Sequence, residues 1–195
     1  MRWLVLVGVG ALAMLLAVEL AIAGPRLRED FRQENSPANL KALMLRLRGL
    51  IHDKRDLEAA ERLFTGLLPD KDRLKQALAE SVSDEAFERY WALHLRMSAS
   101  KPDFSRLCAA NQTEVQVHGA TTEEIAAYKQ DSVAFAEFPG GARQLAVDKQ
   151  LRPGMKFYEV EYLEPGKTAG MKYHLFFWDG KQWTMAGPLW RAGQR

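Results

Sequence analysis

The stretch KFYEVEYLEPGKTAGMKYHLFFWDGKQWTMA, residues 156–186, decides the fold. Lys156 to Leu163 and Met171 to Trp178 are runs of aromatic, β-branched and charged residues, the make-up of strands. Glu164 to Gly170 joins them through a Pro-Gly turn. Asp179-Gly180 predicts a two-residue hairpin into a third strand, Gln182 to Ala186. Side chains alternate along a strand, so Tyr158, Val160 and Tyr162 share one face and Glu159 and Glu161 the other. In the second strand Tyr173, Leu175 and Phe177 oppose Lys172, His174, Phe176 and Trp178. Matching apolar to apolar sets Glu159 and Glu161 beside Lys172 and His174. A two-residue turn then pairs Phe176 with Trp183 and His174 with Met185. Glu159, Glu161, His174, Phe176 and Trp183 are therefore expected on one face. Aromatic walls with a few polar groups are what ligand pockets use, so these five are the candidate ligand-binding residues. A carboxylate beside an imidazole can also act as an acid–base pair, with Glu159 or His174 as acid or base. The same charges also suit a solvent-facing sheet, where a cross-strand Glu–Lys pair contributes only ~0.2–1 kcal/mol.

Working back from the hairpin, Thr113 to His118 alternates as a half-buried strand. Thr121 and Glu124 form a capping box for a short helix facing inward through Ile125 and Tyr128. Ser132 to Phe138 and Ala142 to Val147 read as two more strands around a Pro139-Gly140-Gly141 turn. Further upstream the period becomes helical. Ser36-Pro37 starts a helix carrying Leu40, Leu43, Met44, Leu47 and Leu50. Asp56, Asp70 and Ser83 start three more. The last of these has Phe87, Tyr90, Trp91, His94 and Met97 on one stripe, with Trp91 expected as a core anchor. The fold class is α+β: N-terminal antiparallel helices, then a curved antiparallel sheet with one short helix inserted.

This order, together with Phe177-Trp178-Asp179-Gly180-Lys181-Gln182-Trp183, resembles the nuclear-transport-factor-like cone fold over about residues 55–190. The resemblance implies a curved sheet wrapping helices around a pocket. The chain departs from that family in its extra N-terminal helices and in lacking the Asp/His or Asp/Tyr pair of its enzymes. No catalytic residue is carried across, and the catalytic residues stay unknown.

At the N-terminus, Met1-Arg2 precedes sixteen uncharged residues, Trp3 to Val18, and Ala21-Ile22-Ala23 then offers a cleavage site. That is the order of a signal peptide; an uncleaved anchor is the alternative. The expected organisation is a signal peptide or anchor at 1–23, a basic amphipathic arm at 24–52, and an α+β domain at 53–195. Within that domain the helical part is 53–100 and the sheet part 113–190. The body is expected to be exported: periplasmic, secreted or membrane-tethered. The 37–51 helix reads first as an amphipathic helix packed on the domain, with its basic side chains in water; membrane contact through it, and through residues 1–23, is the alternative.

Twenty-seven Lys and Arg balance 25 Asp and Glu, for a net charge of +2, which excludes the strong basic excess of a nucleic-acid footprint. The single cysteine, Cys108, allows no internal disulfide and reads as a small buried hydrophobe. The four histidines, His52, His94, His118 and His174, lack zinc-ligand spacing, so no metal and no cofactor is implied. The expected function is an exported, non-catalytic module binding a small ligand or partner protein at the cell envelope. The alternatives are an enzyme with an acid–base pair in the sheet pocket, or an interaction scaffold at the membrane surface.

Overall fold

A computed structural model of the chain describes residues 34–99 and 103–193. Four helices come first: α1 (Pro37–Arg48), extended by a π-helical turn Gly49–Asp53, then α2 (Leu57–Leu67), α3 (Lys71–Ala77) and α4 (Asp84–Ser98). Each starts where a side chain can satisfy an orphan amide. Ser36, Asp56, Asp70 and Ser83 accept the N–H groups of Asn39, Ala59, Arg73 and Ala86. A 3-10 turn at Phe104–Arg106 leads into β1 (Glu114–Thr121). Three short helices follow: α5 (Thr122–Ala127), α6 (Val133–Glu137) and α7 (Gly140–Val147). The chain then runs β2 (Lys156–Leu163), β3 (Met171–Trp178), β4 (Trp183–Met185) and a 3-10 turn at Leu189–Gly193. The strands form one open antiparallel sheet in the order β1-β2-β3-β4.

Three helices, not one, are interspersed with the strands. The strands expected at 132–138 and 142–147 are α6 and α7. Ser132 explains the first, because its hydroxyl accepts the Phe135 N–H and starts a helical turn. The alternation of Val133 and Phe135 does not mark a buried face, since both stay about half exposed. Gly140-Gly141 is not a turn but the first turn of α7, after Pro139 as N-cap. A Cβ on Gly141 would collide with the Trp190 indole, so the glycine is there for close approach.

Both sheet faces are covered. Tyr158, Val160, Tyr162, Phe176, Trp183 and Met185 pack on the first face against α1 and α2, through Leu40, Met44, Leu47, Leu63 and Leu67. Phe157, Leu175, Phe177 and Ala186 pack on the second, with Leu74, Phe87, Ile125, Leu145 and Leu189. The first two helices and the next two thus serve opposite faces rather than one array.

Membrane contact through the 37–51 helix is corrected by this packing. Among the described residues no helix is long and apolar enough to cross a membrane. The apolar stripe of α1 and its π-turn, Leu40, Leu43, Met44, Leu47, Leu50 and Ile51, is buried in the core. Residues 1–23, the other contact in that alternative, lie outside the described residues. On α4, Phe87, Tyr90 and His94 are buried as expected, and His94 Nε2 lies 2.8 Å from the Ala186 carbonyl oxygen. Trp91 is only half-buried, at the rim, with the Lys71 ammonium 5.8 Å from its ring.

Candidate functional site

The polar residues of the sheet meet on its second face. Glu161 and Lys172 are directly opposite across β2 and β3. The Glu161 carboxylate accepts the Gly170 N–H at 2.6 Å and lies 3.6 Å from Lys172 Nζ. Lys172 also reaches Glu137 of α6 at 2.8 Å, and His118 of β1 lies 3.8 Å from the same carboxylate. Burial pulls the Lys172 ammonium down, but Glu137 and Glu161 outweigh it and hold its pKa above the usual lysine range.

One register further, the sheet bulges. Tyr158 opposes Phe176 while Val160 opposes Tyr173, so Glu159 faces both His174 and Leu175. Leu175 takes up the extra residue at φ +55°, a left-handed conformation rare for leucine. Glu159 holds this bulge together. One of its oxygens lies 2.5 Å from His174 Nδ1, and the other accepts the Leu175 N–H at 3.3 Å. The Glu159 side chain is 0 % exposed, whereas His174 keeps 21 %. Burial raises the Glu159 pKa; His174, the Leu175 N–H and Lys172 oppose that rise without cancelling it. The Trp190 ring, 5.1 Å from the imidazole, covers His174 from the C-terminal 3-10 turn.

The bulge also explains where the five sequence-predicted residues fall. Glu159, Glu161 and His174 share the second face, with Glu159 bonded to His174. Phe176 and Trp183 do not: both lie in the core of the first face. The extra residue at Leu175 reverses the alternation, so Phe176 sits opposite Tyr158. Asp179-Gly180 is not a two-residue turn either. Trp178 pairs with Trp183 and Phe176 with Met185, leaving Asp179 to Gln182 as a four-residue loop. Asp179 sets that length, because its Oδ1 accepts the N–H groups of Lys181 and Gln182. The five residues therefore do not line one surface.

Glu137 and Trp190 complete the cluster and were missed from sequence. Glu137 fell in an expected strand, and Trp190 lies past the last expected strand, Gln182 to Ala186. Three surface grooves lie elsewhere. One of about 480 Å³ includes Phe64, Leu68, Met97, Leu107 and Tyr173. One of about 250 Å³ includes Lys75, Phe87 and Arg152. The third, about 280 Å³, runs between α1 and β1. None of the three is lined by Glu159, Glu161 or His174. Among the described residues, no three of His, Cys, Asp and Glu converge as metal ligands. Cys108 is buried, and burial pushes its thiol up to about 11, away from the reactive thiolate. No family model, no curated protein and no solved structure matches this chain.

Proposed function

We propose that this domain is a non-catalytic interaction scaffold whose body is carried outside the cytoplasm. One observation carries the scaffold reading: Glu159, Glu161, Lys172 and His174 are spent on one another inside a covered face. Glu159 is wholly buried with both oxygens engaged, and Glu161 is spanned by Gly170 and Lys172. Matched polar groups of this kind fix a register, and none of the three grooves described above is lined by Glu159, Glu161 or His174. Export rests on the Trp3 to Val18 run and the Ala21-Ile22-Ala23 site. A reporter active only after export, fused to residue 195, should be active, and activity confined to a cytoplasm-dependent reporter would refute that part.

One feature favours an enzyme instead. With Nδ1 engaged by Glu159, His174 Nε2 has no hydrogen-bond partner among the described residues. A carboxylate-oriented imidazole with a free second nitrogen is a general base. His174→Asn separates the readings, because an amide can still donate to Glu159 but cannot take a proton. The scaffold reading expects a deletion strain to be complemented fully by His174→Asn at wild-type protein level. Loss of complementation by a folded, normally abundant variant would move the assignment to the enzyme.

A further inference from the structure

We propose that β1 pairs edge to edge with β1 of a second copy of this chain, in an antiparallel register centred on Gln116. The proposal rests on the scaffold reading and names its partner.

The two edges of the sheet differ. β4 is three residues long, and Pro188 follows within three residues of its end, a short edge of the kind that blocks further pairing. β1 is eight residues long and pairs with β2 without any register shift. It contains no Pro, no Lys and no bulge, three of the devices that keep an edge from pairing.

The phase of its hydrogen bonds says which groups point outward. Just past β1, in the same register, the Thr122 N–H donates to the Met155 carbonyl oxygen at 2.9 Å. Bonded and non-bonded pairs alternate along an antiparallel ladder. The even residues of β1 therefore bond β2, and the N–H and C=O groups of Val115, Val117 and Gly119 point to the other edge, where no strand among the described residues pairs with β1. The groove of about 280 Å³ opens along this stretch, lined by Val115, Gln116, Val117 and His118. Its other wall is Pro37, Ala38 and Lys41 of α1, two small residues and one flexible stem.

The occupant follows from complementarity. A two-fold interface needs a surface that matches itself. With Gln116 opposite its own copy, Val115 faces Val117 of the second chain and Glu114 faces His118, each twice. Val115 is already buried in its own core, so across that pair the main chain makes the contact, while carboxylate meets imidazole and amide meets amide. The outward groups of Val115 and Val117 then find the ladder bonds that an edge strand leaves open. Centring on Val117 instead sets Glu114 against Ala120, and centring on His118 sets two histidines against each other. Gln116 and His118 already lie 3.2 Å apart within the chain, so the register at Gln116 is the one that gives a partner to the Glu114 carboxylate, which has none among the described residues.

Disulfide trapping in the full chain, in its native membrane or envelope fraction, tests this. Across a non-hydrogen-bonded antiparallel pair the Cα atoms are about 4.5 Å apart, within disulfide range. Gln116→Cys should oxidise to a dimer as its main species. Glu114→Cys lies about 14 Å from its own copy and should not, but should cross-link to co-expressed His118→Cys. Adding Val117→Pro to Gln116→Cys removes an outward N–H, tolerated on a free edge, and should abolish the cross-link with the circular dichroism unchanged. If that variant fails to fold, Val117→Lys replaces it. Gln116→Cys remaining monomeric, or cross-linking no better than Glu114→Cys, overturns the proposal. A cross-link from Gln116→Cys to a different protein also overturns self-pairing. In each of these cases the scaffold reading is still decided separately by His174→Asn.

Discussion

Replacing Arg73 with methionine should lower the unfolding free energy by about 3–5 kcal/mol, measured by denaturant titration of the folded chain. Arg73 projects from the first turn of α3 into the end of the β3–β4 loop. Its Nε donates to Asp179 at 2.7 Å, one terminal nitrogen to the Leu68 carbonyl at 2.9 Å, and the other to the Trp183 carbonyl at 3.1 Å and to Thr184 Oγ1. Thr184 is itself 0 % exposed and donates to Asp179. One planar cation thus ties α3, the α2–α3 connection and β4 together. Removing it leaves a buried carboxylate and two carbonyls without their partner. Burial pushes the Asp179 carboxyl up, but the Gln182 and Lys181 N–H groups and Arg73 together hold it below the usual range. A depressed carboxyl adds stability that is present above its unfolded pKa and is lost as pH falls through the folded one. The Arg73→Met deficit should therefore shrink in acid. Arg73→Lys keeps the charge but presents it as a point, not a fork, and should recover only part of the loss. A deficit under about 1 kcal/mol for methionine would show that the network is ornamental.

What could be read from the residues alone divides along a physical line. Strand and helix starts were legible because the signals are local. The runs at 156–163 and 171–178, the caps at Ser36, Asp56, Asp70 and Ser83, and the capping box at Thr121 all depend on neighbours in sequence. The faces of the sheet were not legible past Leu175. A bulge is normally flagged by Gly or Asn, and here a leucine holds φ +55° because Glu159, fifteen positions or more away, bonds across the bulge. The four-residue loop was hidden for a related reason. Asp-Gly suits a two-residue turn, and only the bonds from Asp179 to Lys181, Gln182 and Arg73 choose the longer one. Glu159 and Glu161 resembled a wet face because charge usually means water. What they needed was a second cover, and that comes from the helices Val133–Glu137 and Gly140–Val147, where strands were expected at 132–138 and 142–147. Local propensity erred where tertiary contacts decide, as with Gly141, whose missing Cβ makes room for Trp190.

Glu159→Ala should cost roughly 2–5 kcal/mol, because it strips the partner from two donors that cannot find water. The Leu175 N–H is locked inside the bulge, and His174 Nδ1 is turned inward under Trp190. The substitution also withdraws the group that makes the left-handed Leu175 tolerable, so the β2–β3 register itself should loosen. Amide exchange at Leu175 ought then to speed up well beyond that of Val160, one pair away. Glu159→Gln should be milder, since an amide can still accept from the Leu175 N–H, and its pH profile is the sharper test. Burial raises the Glu159 pKa in the folded state. The folded chain therefore holds that proton more tightly than the unfolded chain. Its contribution is greatest in acid and falls as pH rises from the ordinary carboxylate range up to the raised folded value. In that window the wild-type stability should slope downward relative to Glu159→Gln, which has no proton to lose. A difference between the two curves that stays flat above the ordinary carboxylate range would mean that Glu159 titrates like a surface acid, and the closed, internally matched face from which the scaffold reading was drawn would have to be given up.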